Sequence, residues 1–116
     1  MASVLILGID PRTVPGLDGD AVLAVLEREL ARFAERGVDA STAMVASDGS
    51  AEEAFVGVLR KQAWDVVVIG GGIRKPEPLL PLFELVVNLV RRHAPTAALA
   101  FNGGLGESVE AAERWL

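Results

Sequence analysis

Cysteine is absent from the 116-residue chain, which excludes disulfides, thiolate catalysis and zinc–sulfur centres. Tyrosine is absent as well, and four Phe and two Trp supply all the aromatic content. Neither Trp64 nor Trp115 falls near the candidate site described below, so a flavin ring would find little to stack on. There is no basic excess: the net charge is −5 and no Lys/Arg cluster exceeds two residues. Nucleic-acid binders carry a basic patch, so no DNA or RNA partner is expected. Long apolar runs are missing too. The longest, Leu79 to Val90, is broken by Glu84 and Asn88 and falls short of the roughly 20 apolar residues that a bilayer span needs. The opening run Val4 to Ile9 is too short for a signal-peptide core and has no basic leader. The expectation is a cytoplasmic protein with no membrane segment.

Chemical motifs are equally sparse. Ser47 and Ser50 have no context that would activate a nucleophile, no set of residues has metal-ligand spacing, and no cofactor is implied. The single histidine lies in Arg91-Arg92-His93-Ala94-Pro95, where it balances the dipole at a helix C-terminus.

What is present is an alternation of apolar strands and amphipathic helices. The hydrophobic fraction of 51% and the chain length fit one compact domain spanning residues 1–116. The first strand, Val4 to Ile9, and the third, Asp65 to Gly70, are continuous apolar runs of the kind buried on both faces. The second, about Asp39 to Ala46, contains Ser41 and Thr42 and belongs at an edge; the fourth is about Ala97 to Phe101. A first helix over about Asp20 to Arg36 presents Val22, Leu23, Leu26, Leu30 and Phe33 at helical spacing and stops at Gly37. Ser50 and Glu53 have capping-box spacing before a second helix to about Gln62. A third helix runs from Leu79 to His93 and a fourth from about Glu107 to Leu116.

Strands alternating with helices imply a parallel sheet with right-handed crossovers. With the two most apolar strands central, the order is 2-1-3-4 in a three-layer α/β/α sandwich. This arrangement resembles a Rossmann-like, flavodoxin-like or receiver-like fold that lacks its fifth unit. A receiver would carry a phosphorylatable Asp after the third strand, where this chain has Gly70-Gly71-Gly72, so phosphoryl signalling is not implied. The stretches Gly72-Ile73-Arg74, Leu82-Phe83-Glu84, Ala100-Phe101-Asn102 and Arg114-Trp115-Leu116 are also similar to those of a group of small uncharacterised bacterial proteins, from which no activity carries over.

In an open parallel sheet the ligand crevice lies outside the carboxyl ends of the strands, where the strand order reverses. For the order 2-1-3-4 that point lies between the first and third strands. The loops meeting there nominate Gly71 and Gly72 for close backbone approach, Arg74 and Lys75 for an anion, and Asn102 for orientation. The same glycines with two solvated basic residues also make an ordinary turn. Asp10 ends the first strand and is a candidate general base, or an Asp-Pro turn initiator. Glu84 is the second candidate proton carrier, although it lies almost two turns into its helix. Asp48 reads as a turn residue.

The third helix is apolar around most of its circumference, with only Glu77, Glu84, Asn88 and Arg91 forming a polar stripe. A sheet covers one side of a helix, so the remainder suggests a homodimer through it, unless neighbouring helices bury it. Two functions remain open. One is a small-molecule binder, or a cofactor-independent acid–base enzyme of isomerase or lyase type, acting on a compact anionic or polar metabolite. The other is a non-catalytic, dimeric, receiver-like interaction module.

Overall fold

A computed structural model describes all 116 residues. Four strands, β1 (Ser3–Ile9), β2 (Asp39–Val45), β3 (Val66–Ile69) and β4 (Ala98–Phe101), form one sheet of order 2-1-3-4. Every pairing is parallel, with Val4 opposite Val66 and Ala40, and Val66 opposite Ala98. The five helices are α1 (Gly19–Glu35), α2 (Ala51–Leu59), α3 (Gly71–Arg74), α4 (Leu80–His93) and α5 (Ser108–Glu113). Short 3-10 turns occupy Pro11–Thr13 and Glu77–Leu79.

The apolar runs of β1 and β3 are central because both of their faces are buried. Val4, Ile6, Val66 and Val68 point into one core with Phe33 of α1 and Val109 of α5. Leu5, Leu7, Val67 and Ile69 point into the other with Phe55 of α2 and Val86 of α4. Burial of each such side chain is worth about 1.5–3 kcal/mol, and this doubled contribution fixes the three-layer order.

Two local expectations are corrected. The segment after β3 begins with a helical turn, α3, in which the Gly70 carbonyl accepts from the N–H groups of Ile73 and Arg74. It ends at once because Pro76 has no N–H to continue the hydrogen-bond ladder and is itself extended. Ser50 stands at the start of α2 but makes no side-chain cap; its hydroxyl donates to Asp48 Oδ1 at 2.5 Å instead. Helix α1 is capped by Asp18, whose carboxylate accepts from Ala21 N–H at 3.1 Å.

Much of the apolar surface of α4 is used inside the chain. Val86, Leu89 and Val90 are buried, and Leu82, Phe83, Leu85 and Val87 pack partly against the same core. Leu80 remains 60% exposed, and Glu84, Asn88 and Arg91 face solvent. No helix is long and apolar enough to cross a membrane.

One buried charge organises the α1/α5 layer. Glu29 is 3% exposed and shares the inner face of α1 with Val22, Leu26 and Phe33. Its Oε1 accepts from Ser108 N–H at 2.8 Å and Val109 N–H at 3.2 Å, and its Oε2 meets Arg32 at 2.8 Å. Arg32 continues to Glu110 at 2.7 Å; Glu110 and Glu29 together raise the pKa of Arg32, and Arg32 lowers that of Glu110. Helix α5 has no cap of its own, so Glu29 satisfies its first amides. Replacing Glu29 by Ala leaves those donors unpaired in the interior and should cost about 2–3 kcal/mol in urea unfolding, whereas Glu29→Gln, which keeps an acceptor oxygen, should lose less. Equal stability of Glu29→Ala and wild type would refute this account.

Candidate functional site

The crossovers diverge between β1 and β3. Helix α1 leaves β1 toward one face of the sheet, whereas α2 and α4 cover the other. No helix therefore covers the gap at the carboxyl ends of β1 and β3. A cavity of about 720 Å³ opens there, within the range of small-molecule sites.

The cavity is bounded mainly by hydrocarbon. Ile9 and Gly8 end β1 at its base, Val22 and Leu26 of α1 form one wall, and Leu105 lies on the far side. Val14 and Leu17, from the loop between β1 and α1, stand at the mouth, 37% and 47% exposed. Met44 of β2 reaches across Gly8; a Cβ at position 8 would lie 2.9 Å from its sulfur, so a glycine is needed for the thioether to lie there. Thr13, Ser47 and Asn102 supply polar side chains, and Lys75 is the one charged residue of the lining.

The structure brings Gly71, Gly72, Lys75 and Asn102 together at this cavity. The methylenes of Lys75 fold over Gly71, and its Nζ donates to the Gly103 carbonyl at 3.0 Å while remaining exposed. Arg74 is adjacent in sequence but does not line the cavity. Its Nε donates to the Ile69 carbonyl at 3.0 Å, and its Nη2 donates to both the carbonyl and the Oδ1 of Asn102. The guanidinium also sits 5.5 Å from the centre of the Phe101 ring. Asn102 is 5% exposed and donates through Nδ2 to Ser108 Oγ at 3.3 Å. Arg74 and Asn102 thus clasp the ends of β3 and β4 together.

Asp10 and Glu84 are placed elsewhere. Asp10 Oδ1 accepts from Arg12 N–H at 3.0 Å and Nε at 3.2 Å, and Oδ2 from Nη2 at 3.1 Å. Those hydrogen bonds hold its pKa below the ordinary carboxylate value. A general base works best with a pKa near the operating pH, so this carboxylate is poorly suited to move protons. Glu84 is exposed on α4, outside the cavity. Asp48 is likewise lowered, by the Ser50 hydroxyl and amide. No group of three or more His, Asp or Glu side chains is close enough to hold a metal ion.

Sequence reasoning did not nominate the apolar lining: Val14, Leu17, Met44 and Leu105 come from three separate segments. The available signal was the pair Val14 and Leu17, apolar residues in a loop otherwise rich in Pro, Gly and Asp.

No protein-family model matches the chain, and no curated protein matches it. The chemistry of the site therefore rests on its own geometry.

Because the folded-state pKa of Asp10 is lowered, its contribution to stability is present above about pH 4 and is lost as the pH falls through the lowered value. In Arg12→Ala the Asp10 pKa should return toward about 4, followed as the carboxyl chemical shift in an NMR titration. An unchanged Asp10 titration would disprove the role assigned to Arg12.

Proposed function

We infer that the chain binds a small molecule with an apolar body and one acidic group, held in the cavity between β1 and β3. The observation that carries this reading is the composition of the lining, hydrocarbon on most sides with Lys75 as its only charge and no carboxylate. An apolar body gains about 25 cal/mol for each Å² removed from water, which a compact polar metabolite does not. A carboxylate or sulfonate on that body finds an ammonium with no acidic neighbour in the lining to compete for it. Acid–base turnover needs a proton-moving side chain at the substrate. Asp10, Glu84 and His93 lie outside the lining, and this favours binding over isomerase or lyase chemistry.

The test is fluorescence titration with 8-anilino-1-naphthalenesulfonate, an aromatic body carrying one sulfonate, followed by competition with octanoate and decanoate. Saturable enhancement at one site is expected. Gly72→Leu projects a side chain at the cavity from a position where a Cβ meets nothing nearer than Ile9 Cβ at 3.8 Å, so it should block binding while the protein stays folded. Lys75→Gln removes the charge and should weaken binding roughly tenfold, the worth of one charge-assisted hydrogen bond. Binding that is indifferent to Gly72→Leu would place the dye elsewhere and sink the reading.

A further inference from the structure

The free edge of the sheet combines three features that none of the cavity chemistry uses. Strand β4 has one neighbour, β3, and Ala98-Leu99-Ala100-Phe101 contains no charge or proline. Such residues are the usual means by which an exposed edge is kept from pairing. The opposite edge strand, β2, starts with exposed Asp39 and carries Ser41 and Thr42. Beside β4, Leu80 is 60% and Phe101 40% exposed, and Phe83 and Val87 lie half-buried along the same flank of α4. Finally, Glu84 and Arg91 are exposed one above the other on α4 and neither joins an ion pair within the chain.

We propose that this edge is a two-fold interface with a second copy of the chain, in which β4 pairs antiparallel with β4 and Glu84 of each copy meets Arg91 of the other. The backbone sets where the axis must pass. The Ala98 N–H donates back to the Asp65 carbonyl, on the β3 side, so the N–H and C=O of Leu99 point outward by strand alternation. Arg114 Nη2 occupies the Phe101 carbonyl at 2.9 Å, which leaves Leu99 as the free centre of the edge. A two-fold axis through Leu99 lets the two Leu99 residues exchange both backbone hydrogen bonds.

The helices lead independently to the same axis. Antiparallel copies of α4 bring Glu84 level with Arg91 only when the axis crosses between Val87 and Asn88. Phe83 packs edge-on against Phe101 with ring centres 6.1 Å apart, so these two residues stand at similar height. Leu99 is two strand residues below Phe101, about 6.6 Å, and that descent equals roughly four helix residues from Phe83. It arrives at Val87. The strand pairing and the charge pairing therefore share one axis, as an isologous interface requires. The seam would cover Leu80, Phe83, Val87 and Phe101, with the two ion pairs on its outer rim.

Sedimentation equilibrium of the intact chain tests this. Wild type should be a dimer at micromolar concentration. Glu84→Arg or Arg91→Glu alone sets like charges together twice across the axis and should raise the dissociation constant roughly tenfold or more, while the double reversal should restore it to within about threefold. Both altered residues are exposed in the monomer, and circular dichroism should show unchanged folding. Since the chain has no cysteine, the pair Glu84→Cys/Arg91→Cys should also give a disulfide-linked dimer on oxidation. Either single variant should not, because its two thiols would lie about 10 Å apart along the helices, beyond disulfide reach. A monomeric wild type, a double reversal as weak as the single ones, or cross-linking by a single variant as readily as by the pair overturns the proposal. The cavity plays no part in any of these readouts, so dye binding and dimerisation succeed or fail separately.

Discussion

Two strands that cannot tolerate water on either face govern this molecule. The side chains of Val4 to Leu7 in β1 and Val66 to Ile69 in β3 are essentially inaccessible, so each strand requires a helix above and below it. The chain meets that demand by sending α1 to one side and α2 and α4 to the other. The divergence of these paths leaves the gap at the strand ends. The cavity is thus a by-product of covering a doubly apolar sheet, and its lining inherits the apolar character of what surrounds it.

That constraint explains what was legible in the sequence. The uninterrupted runs of β1 and β3 identified the central strands, the polar residues of β2 identified an edge, and the strand order followed with the location of the crevice. Elements that depended on long-range partners were less legible. Arg74 looks free in sequence, but it is consumed by Asn102, 28 residues away. Glu29 looks like one more surface charge of α1, but the spacing of Val22, Leu26 and Phe33 puts it on the inner face. The attachment of Asp10 to Arg12 is two residues long and was in principle readable, since a carboxylate before a Pro-Arg step can turn back on the guanidinium.

The same distinction separates the residues of the candidate site. Glycines can be assigned from sequence because their role is set by the local backbone. Gly71 and Gly72, directly after the apolar run of β3, are of this kind, whereas the need for glycine at position 8 depends on Met44 of the neighbouring strand. Charged side chains are decided by what else lies within a few ångströms, and of the nominated ones only Lys75 keeps its head exposed at the cavity. The hydrocarbon lining is harder still, because each contributor is an unremarkable apolar residue until separate segments converge.

The carboxylate of Glu29 has a further consequence, for the order in which the molecule assembles. Helix α5 is six residues long, too short to persist alone in water, and its first amides are satisfied from a side chain 79 positions earlier. It can become stable only once α1 is already docked on the sheet. The segment that joins β4 to α5 carries Asn102 and Leu105, so the far wall of the cavity closes at that same late moment. Such a distant contact carries a loop-closure cost that prior docking of α1 and β4 on the sheet reduces. The far wall of the cavity is therefore tied to completion of the core between the sheet, α1 and α5, to which Val109, Ala111 and Ala112 contribute.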